Sequence, residues 1–213
     1  MTYFWSRRAE ILTYTGQHVV LVVAATAIAV AIGVPLGIYL TRHPRAARPI
    51  LGVAEIVQTI PSLALFGLLI PLPLIGGIGT STAIVALVAY ALLPILRNTH
   101  TGLVTVDPAI VEAATGLGMT DRQLLWWVEL PLALPVILAG VRVAAVLSIG
   151  LATIAAAIGA GGLGVLIYRG LATVDNRLIL SGAIPAACLA LVSDGFFSLL
   201  ERRWAVSRGA SDR

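Results

Sequence analysis

The chain has no lysine and a single cysteine, and charged residues of every kind make up only 11% of its 213 positions. Each shortage excludes something. A soluble domain carries about 25% charged residues. With 59% hydrophobic residues and a mean hydropathy of +0.98, this chain cannot cover its surface with polar groups, so lipid must be the solvent for much of it. One cysteine, Cys188, rules out an intrachain disulfide, and its position inside an apolar run predicts a buried, inert thiol. All fourteen basic residues are arginine, which reads as compositional bias. A net charge of +4 in a soluble protein would point toward nucleic acid. Here it fits loop arginines that fix orientation in a bilayer, and no nucleic-acid partner is expected. The phosphate-binding pattern GxxxxGK[ST] is missing, so the chain is not expected to hydrolyse ATP. No cofactor or metal is called for.

What the sequence does hold is a set of apolar runs. About 20 such residues cross a bilayer. Five candidates lie at residues 19–40, 50–72, 82–96, 134–158 and 178–200, the third being short. The first is too long for the apolar core of a signal peptide and reads as a true span. Ahead of it, residues 1–17 place Tyr3, Phe4 and Trp5 beside Arg7 and Arg8. That fits a short helix in the membrane interface, or an ordinary tail.

Arginine placement alternates between connections. The loop after the first run holds Arg42, Arg45 and Arg48, and the next, PLPLIGGIGT, holds none. Arg97 and Arg122 follow the third run, Arg169 and Arg177 are offset by Asp175, and residues 201–213 carry Arg202, Arg203, Arg208 and Arg213. The positive-inside rule puts the first, third and last of these in the cytoplasm. The expected fold is an all-α integral membrane protein of about five transmembrane helices, with the N-terminus outside and the C-terminus cytoplasmic. Residues 1–213 form a single transmembrane domain.

Residues 98–131 differ in character, being polar and too long for a turn. Asp107-Pro108 is an N-cap followed by proline at the first helical position. Gly116 and Gly118 should end that helix. Thr120 with Gln123 makes a capping box for a second short helix, which Leu130-Pro131 should stop. The segment reads EAATGLGMTDRQLLWWVELP. It resembles the EAA loop of bacterial ABC-importer permeases: Glu-Ala-Ala, three residues, Gly, nine residues, Ile, one residue, Leu-Pro. Here Glu112, Ala113, Ala114, Gly118, Val128, Leu130 and Pro131 supply the pattern, with Val128 in place of Ile. The resemblance implies a short cytoplasmic coupling loop that seats in an ATPase subunit. Small residues there would allow close approach, Glu112 would meet a basic group, and Trp126 and Trp127 would pack or anchor.

Two further segments, QTIPSLALFGLLIPL from Gln58 and RNTHTGL from Arg97, are similar to permeases for glycine betaine, carnitine and choline. AAAIGAGGLGVLIYRGL, from Ala155, occurs in similar form in those and in methionine-type permeases. Gly159, Gly161, Gly162 and Gly164 break the fourth run and suit either a gate or an exit turn. Pro61 interrupts the second run, freeing backbone groups near Gln58, Thr59 and Ser62; these side chains line the pathway or bond neighbouring helices. Glu55, Arg142 and Asp194 fall at similar depth within spans. Arg142, read as the sole cation there, pairs with Asp194, with Glu55 nearby, or else reaches back to the headgroups.

The function this implies is that of the transmembrane permease of a binding-protein-dependent ABC importer for a quaternary-ammonium osmoprotectant. Partners would be ABC ATPase subunits, a second permease copy or homologous permease, an extracytoplasmic solute-binding protein and the lipid bilayer of the bacterial inner membrane. An amino-acid permease of the methionine type is the alternative. An ion-driven secondary transporter is a weaker alternative and a membrane scaffold a weaker one still, and the EAA segment argues against both.

Overall fold

In the computed structural model, residues 2–72 and 76–209 are described, and every regular element among them is helical. Met1, loop residues 73–75 and tail residues 210–213 lie outside the described residues. The elements are α1 (Thr2–Ser6), α2 (Arg8–Arg42), α3 (Pro44–Thr59), α4 (Ser62–Leu69), α5 (Thr80–Val104), α6 (Pro108–Gly116), α7 (Asp121–Gln123), α8 (Leu130–Ala155), α9 (Gly164–Thr173) and α10 (Asn176–Gly209). A six-residue π turn, Leu124–Glu129, joins α7 to α8, and a 3-10 turn, Ala156–Ile158, follows α8.

Among the described residues four continuous helices are long and apolar enough to cross a membrane, and α3 with α4, bent by 102° at Pro61, counts as a fifth if the bent pair is taken as one span. In lipid the hydrophobic effect does not draw helices together, so small residues that permit close backbone approach must. The buried stripe on α2 is Ala25, Ala29, Gly33 and Gly37, one residue per turn. A Cβ on Gly33 would sit 2.8 Å from Ile95 Cγ2, and one on Gly37 would sit 2.6 Å from Thr99 Cβ. Across α5, Gly140 of α8 does the same work: its Cβ would lie 2.7 Å from the Pro94 carbonyl. The central helix α5 is thus clasped on both sides by glycines that cannot be enlarged.

Several expectations need correction. The helix from Arg8 absorbs most of the 1–17 segment; only Thr2–Ser6 forms a separate short helix. The third span is not short, because α5 continues through Arg97 and Asn98 to Val104 and takes up the start of the 98–131 segment. Leu130-Pro131 does not stop the second coupling helix. Helix runs unbroken from Asp121 to Ile158. Proline in a helix normally clashes with the carbonyl four residues back, and the wider π turn immediately before Pro131 is the kind of local adjustment that accommodates it. Cys188 is exposed rather than buried. The cause is the solvent: α10 turns Leu191 (73% exposed), Val192 (69%) and Leu199 (62%) outward as well, since an apolar side chain facing lipid needs no protein cover.

Two ion pairs mark the ends of α2, which spans about 52 Å at 1.5 Å per residue. At its start Glu10 accepts from Arg169 of α9 at 2.7 Å. At its finish Arg42 pairs with Glu129 of the π turn. The two classes of connection seen in the sequence therefore sort to opposite ends of the bundle.

Candidate functional site

The coupling segment is built by local rules. Asp107 Oδ1 accepts from Ala109 N at 2.9 Å, and Pro108 occupies the first helical position of α6. An N-cap of this kind is worth about 1 kcal/mol. Thr120 and Gln123 form the reciprocal capping box that starts α7, with Gln123 Oε1 accepting from Thr120 N at 2.9 Å. Gly118, at φ +84°, makes the turn between the two helices in the left-handed region that favours glycine.

Burial decides which of these residues a partner can reach. Glu112, Ala113 and Gly118 are exposed; Val128, Leu130 and Pro131 are half-buried. Ala114 is buried at 6% exposure, so its small size serves packing within this chain and not the approach of a partner. Sequence reasoning missed Ile110 (43% exposed) on α6 and Leu117 (81%) at its C-cap, which with Ala113 are spaced i, i+3 and i+7 and are all exposed. That spacing was the available signal. Trp126 and Trp127 are exposed on the adjoining π turn and line a shallow cleft of about 340 Å³ with Arg122 and Gln123. An apolar stripe beside two exposed tryptophans thus lies on this capped corner, a composition that suits contact with a partner protein or with the membrane interface.

At the other end of the bundle the chain leaves α8 through Gly159, Gly161 and Gly162, at φ +78°, +80° and +75°. Side chains are excluded here by contact as well as by backbone conformation. A Cβ on Gly161 would stand 2.7 Å from Gln17 Oε1, and one on Gly162 would stand 3.1 Å from His18 Nδ1. Gly164, at the start of α9, lies against the Thr153 carbonyl with no room for a side chain. Gln17 Oε1 accepts from Gly162 N at 3.1 Å, and His18, fully buried, donates from Nε2 to the Ile149 carbonyl at 3.1 Å. The glycine loop is therefore tied to α2. Neither Gln17 nor His18 stood out in the sequence, where they lie just ahead of the first apolar run. A cleft of about 490 Å³ opens beside them, lined by Gln17, Thr80 and Gly159 among others.

The break at Pro61 is real and sharp, with α3 ending at Thr59 and α4 starting at Ser62. Its freed groups bond neighbours. Gln58 Nε2 donates to the Tyr90 carbonyl at 2.9 Å, and the Tyr90 hydroxyl donates to the Ile60 carbonyl. Thr59 caps its own helix by donating to the Ile56 carbonyl at 2.7 Å. Thr59 and Pro61 are exposed and Ser62 is half-buried.

Arg142 meets Asp194 in two-pronged fashion, Nε to Oδ1 at 2.6 Å and Nη2 to Oδ2 at 2.8 Å, and its Nη1 reaches Glu201 at 3.4 Å. Glu55 is elsewhere: it pairs with Arg97 of α5. Arg142 is thus not the sole cation within the spans, because α5 extends past Arg97. The Arg42–Glu129 pair was not foreseen; Glu129 is 6% exposed, an unusual burial for a carboxylate that its arginine explains.

The chain was compared with known proteins. Residues 33–206 match the family model for the binding-protein-dependent transport system inner membrane component. The osmoprotectant import permease protein OsmW of Salmonella typhimurium is 48% identical, covering 93% of this chain and 94% of that one. The carnitine transport permease protein OpuCB of Listeria monocytogenes is 45% identical, covering 95% and 92%. The choline transport system permease protein OpuBB of Bacillus subtilis is 44% identical, covering 91% and 88%. Among solved structures, an inward-facing MetNI methionine ABC transporter chain superposes with a TM-score of 0.81 at 23% identity, over 91% of this chain and 96% of that one; at that identity the likeness speaks for the fold alone. With most of its length matched by the family model and by these relatives, the chain belongs to the family of binding-protein-dependent transport system inner membrane components.

Proposed function

We propose that this chain is the permease subunit of an ABC importer for quaternary-ammonium osmoprotectants such as glycine betaine, choline and carnitine. The observation that carries the substrate class is the end-to-end similarity, at 44–48% identity, to permeases named for osmoprotectant, carnitine and choline transport. The α6 end of the bundle, rich in arginine, faces the cytoplasm, so that the N-terminus is outside and the C-terminus inside. There Glu112, Ala113, Ile110, Leu117 and Gly118 seat in a separate ATPase subunit, which supplies the hydrolysis. At the outer end, Gly159, Gly161 and Gly162 form the gate beneath an extracytoplasmic solute-binding protein. A second copy, or a homologous permease, completes the pathway.

Permeases in this arrangement do chemistry only by changing shape. A rigid corner is needed at the ATPase, and the two caps and the π turn supply it. At the gate the three left-handed glycines keep side chains out of the loop, which supports a backbone-lined constriction there.

The substrate class is tested by competition. With labelled glycine betaine taken up by cells carrying the complete transporter, excess unlabelled choline and carnitine are expected to cut uptake by about tenfold, as competitors at one site do when present well above their half-saturating level. Methionine is expected to leave uptake unchanged. Competition by methionine alone would replace the osmoprotectant reading with an amino-acid one.

A further inference from the structure

We infer that α2 is the strut that links the coupling segment to the gate, with Arg42–Glu129 as its lower joint and Gln17–Gly162 as its upper one. The inference rests on the proposed roles of those two ends and adds the part that connects them.

At the lower joint, Glu129 closes the π turn that follows α7 and is buried, while its partner Arg42 is the last residue of α2. The π turn lies directly before Pro131, and such turns collect at working parts of helices. Its last carboxylate is held by the strut. At the upper joint, Gln17 Oε1 accepts from Gly162 N at 3.1 Å, inside the left-handed glycine run. One residue on, His18 ties α2 to the body of α8 through the Ile149 carbonyl at 3.1 Å. The joints are 25 residues apart on α2, about 37 Å, with Pro35 inside the helix between them, where its ring removes one backbone hydrogen bond and the close contacts at Gly33 and Gly37 hold the helix on either side. Between them Gly33 and Gly37 lock α2 against Ile95 and Thr99 of α5. A helix so clamped slides or tilts as a body, and packed elements pass displacement between discrete arrangements instead of absorbing it.

The proposal makes Arg42, Glu129 and Gln17 positioning residues: none needs to touch solute or nucleotide. The test uses the complete transporter in proteoliposomes, with uptake and ATP hydrolysis measured together. Glu129→Gln and Gln17→Ala are each expected to lower the solute moved per ATP hydrolysed by about fivefold, the scale of a typical coupling between sites. Because both act on one serial link, the double variant is expected to be no worse than the poorer single. Multiplied losses, about 25-fold, would mean independent local roles and would overturn the strut. Unchanged stoichiometry in either single, at normal expression, would overturn it too. Should Glu129→Gln assemble poorly, the exchange Arg42→Glu with Glu129→Arg replaces it; recovery of stoichiometry relative to Arg42→Glu alone is expected, and failure to recover at wild-type yield counts against the joint. A failed strut leaves Gly118→Trp still blocking uptake, whereas a failed coupling segment shows there first.

Discussion

Replacing Gly118 with tryptophan is expected to reduce ATP-driven uptake to background, a loss of about tenfold or more, while the chain inserts and folds normally. Within this chain nothing lies within 4 Å of a Cβ built at Gly118, so an added side chain leaves the backbone into open space. What it obstructs is whatever seats against the α6–α7 corner. One internal cost exists, since φ is +84° and a side chain there is strained by about 1 kcal/mol. Gly118→Ala carries the same strain without the bulk and serves as the control. It should retain most of the uptake. Comparable loss in both variants would make the turn's conformation the cause, and normal uptake with the tryptophan would remove the corner from the coupling path. Membrane yield and transport rate, measured for all three proteins, decide the matter.

The second large effect concerns Arg142. It bonds Asp194 through two nitrogens and reaches Glu201 with the third. Asp194 and Glu201 are seven residues apart on α10 and so share a face. One cation thus serves two carboxylates within apolar helices. Arg142→Leu leaves both acids without it and is expected to give the lowest folded yield in detergent. Asp194→Leu leaves Arg142 with Glu201 and should fall less far. The double Leu variant should recover above Arg142→Leu, because an unpaired charge in a poorly solvated place costs more than the pair contributes. Losses that simply multiply would mean that the arginine and the aspartate act separately. A yield for Asp194→Leu below that for Arg142→Leu would make Glu201 irrelevant to the cluster.

The sequence spoke most clearly where local rules govern. Asp107 and Pro108, Thr120 and Gln123, and the helix break at Pro61 are decided by a few neighbouring residues, and each is found where its residue types place it. The partner of Arg142 was legible for a different reason: counting turns from the ends of two apolar runs put Arg142 and Asp194 at one depth, and few other groups compete there. The same counting failed for Glu55. Arg97 read as a loop residue because apolar character fades at Leu96, yet α5 continues to Val104, and the helix brings Arg97 to Glu55. Polarity marks where lipid ends, not where a helix does. Cys188 failed for a related reason. In water an apolar run that includes cysteine implies burial, but in lipid it implies only residence in the bilayer. The joints at Gln17 and Arg42 carried no local signal, since each depends on a residue more than 80 positions away. Continuity through Pro131 required the π turn, which no periodicity announces.

The chain belongs to the binding-protein-dependent permease family, and in the proposed function its transport is driven by a separate ATPase seated on the α6 corner. The most direct measurement is uptake of labelled glycine betaine into proteoliposomes that hold this permease with its ATPase subunits, the solute-binding protein being supplied outside. Uptake is expected to require ATP in the lumen, to cease when the ATPase subunit is omitted, and to persist when sodium and proton gradients are collapsed. Accumulation by this chain alone, without ATP and abolished by collapsing an ion gradient, would contradict the account and make the protein an ion-driven transporter.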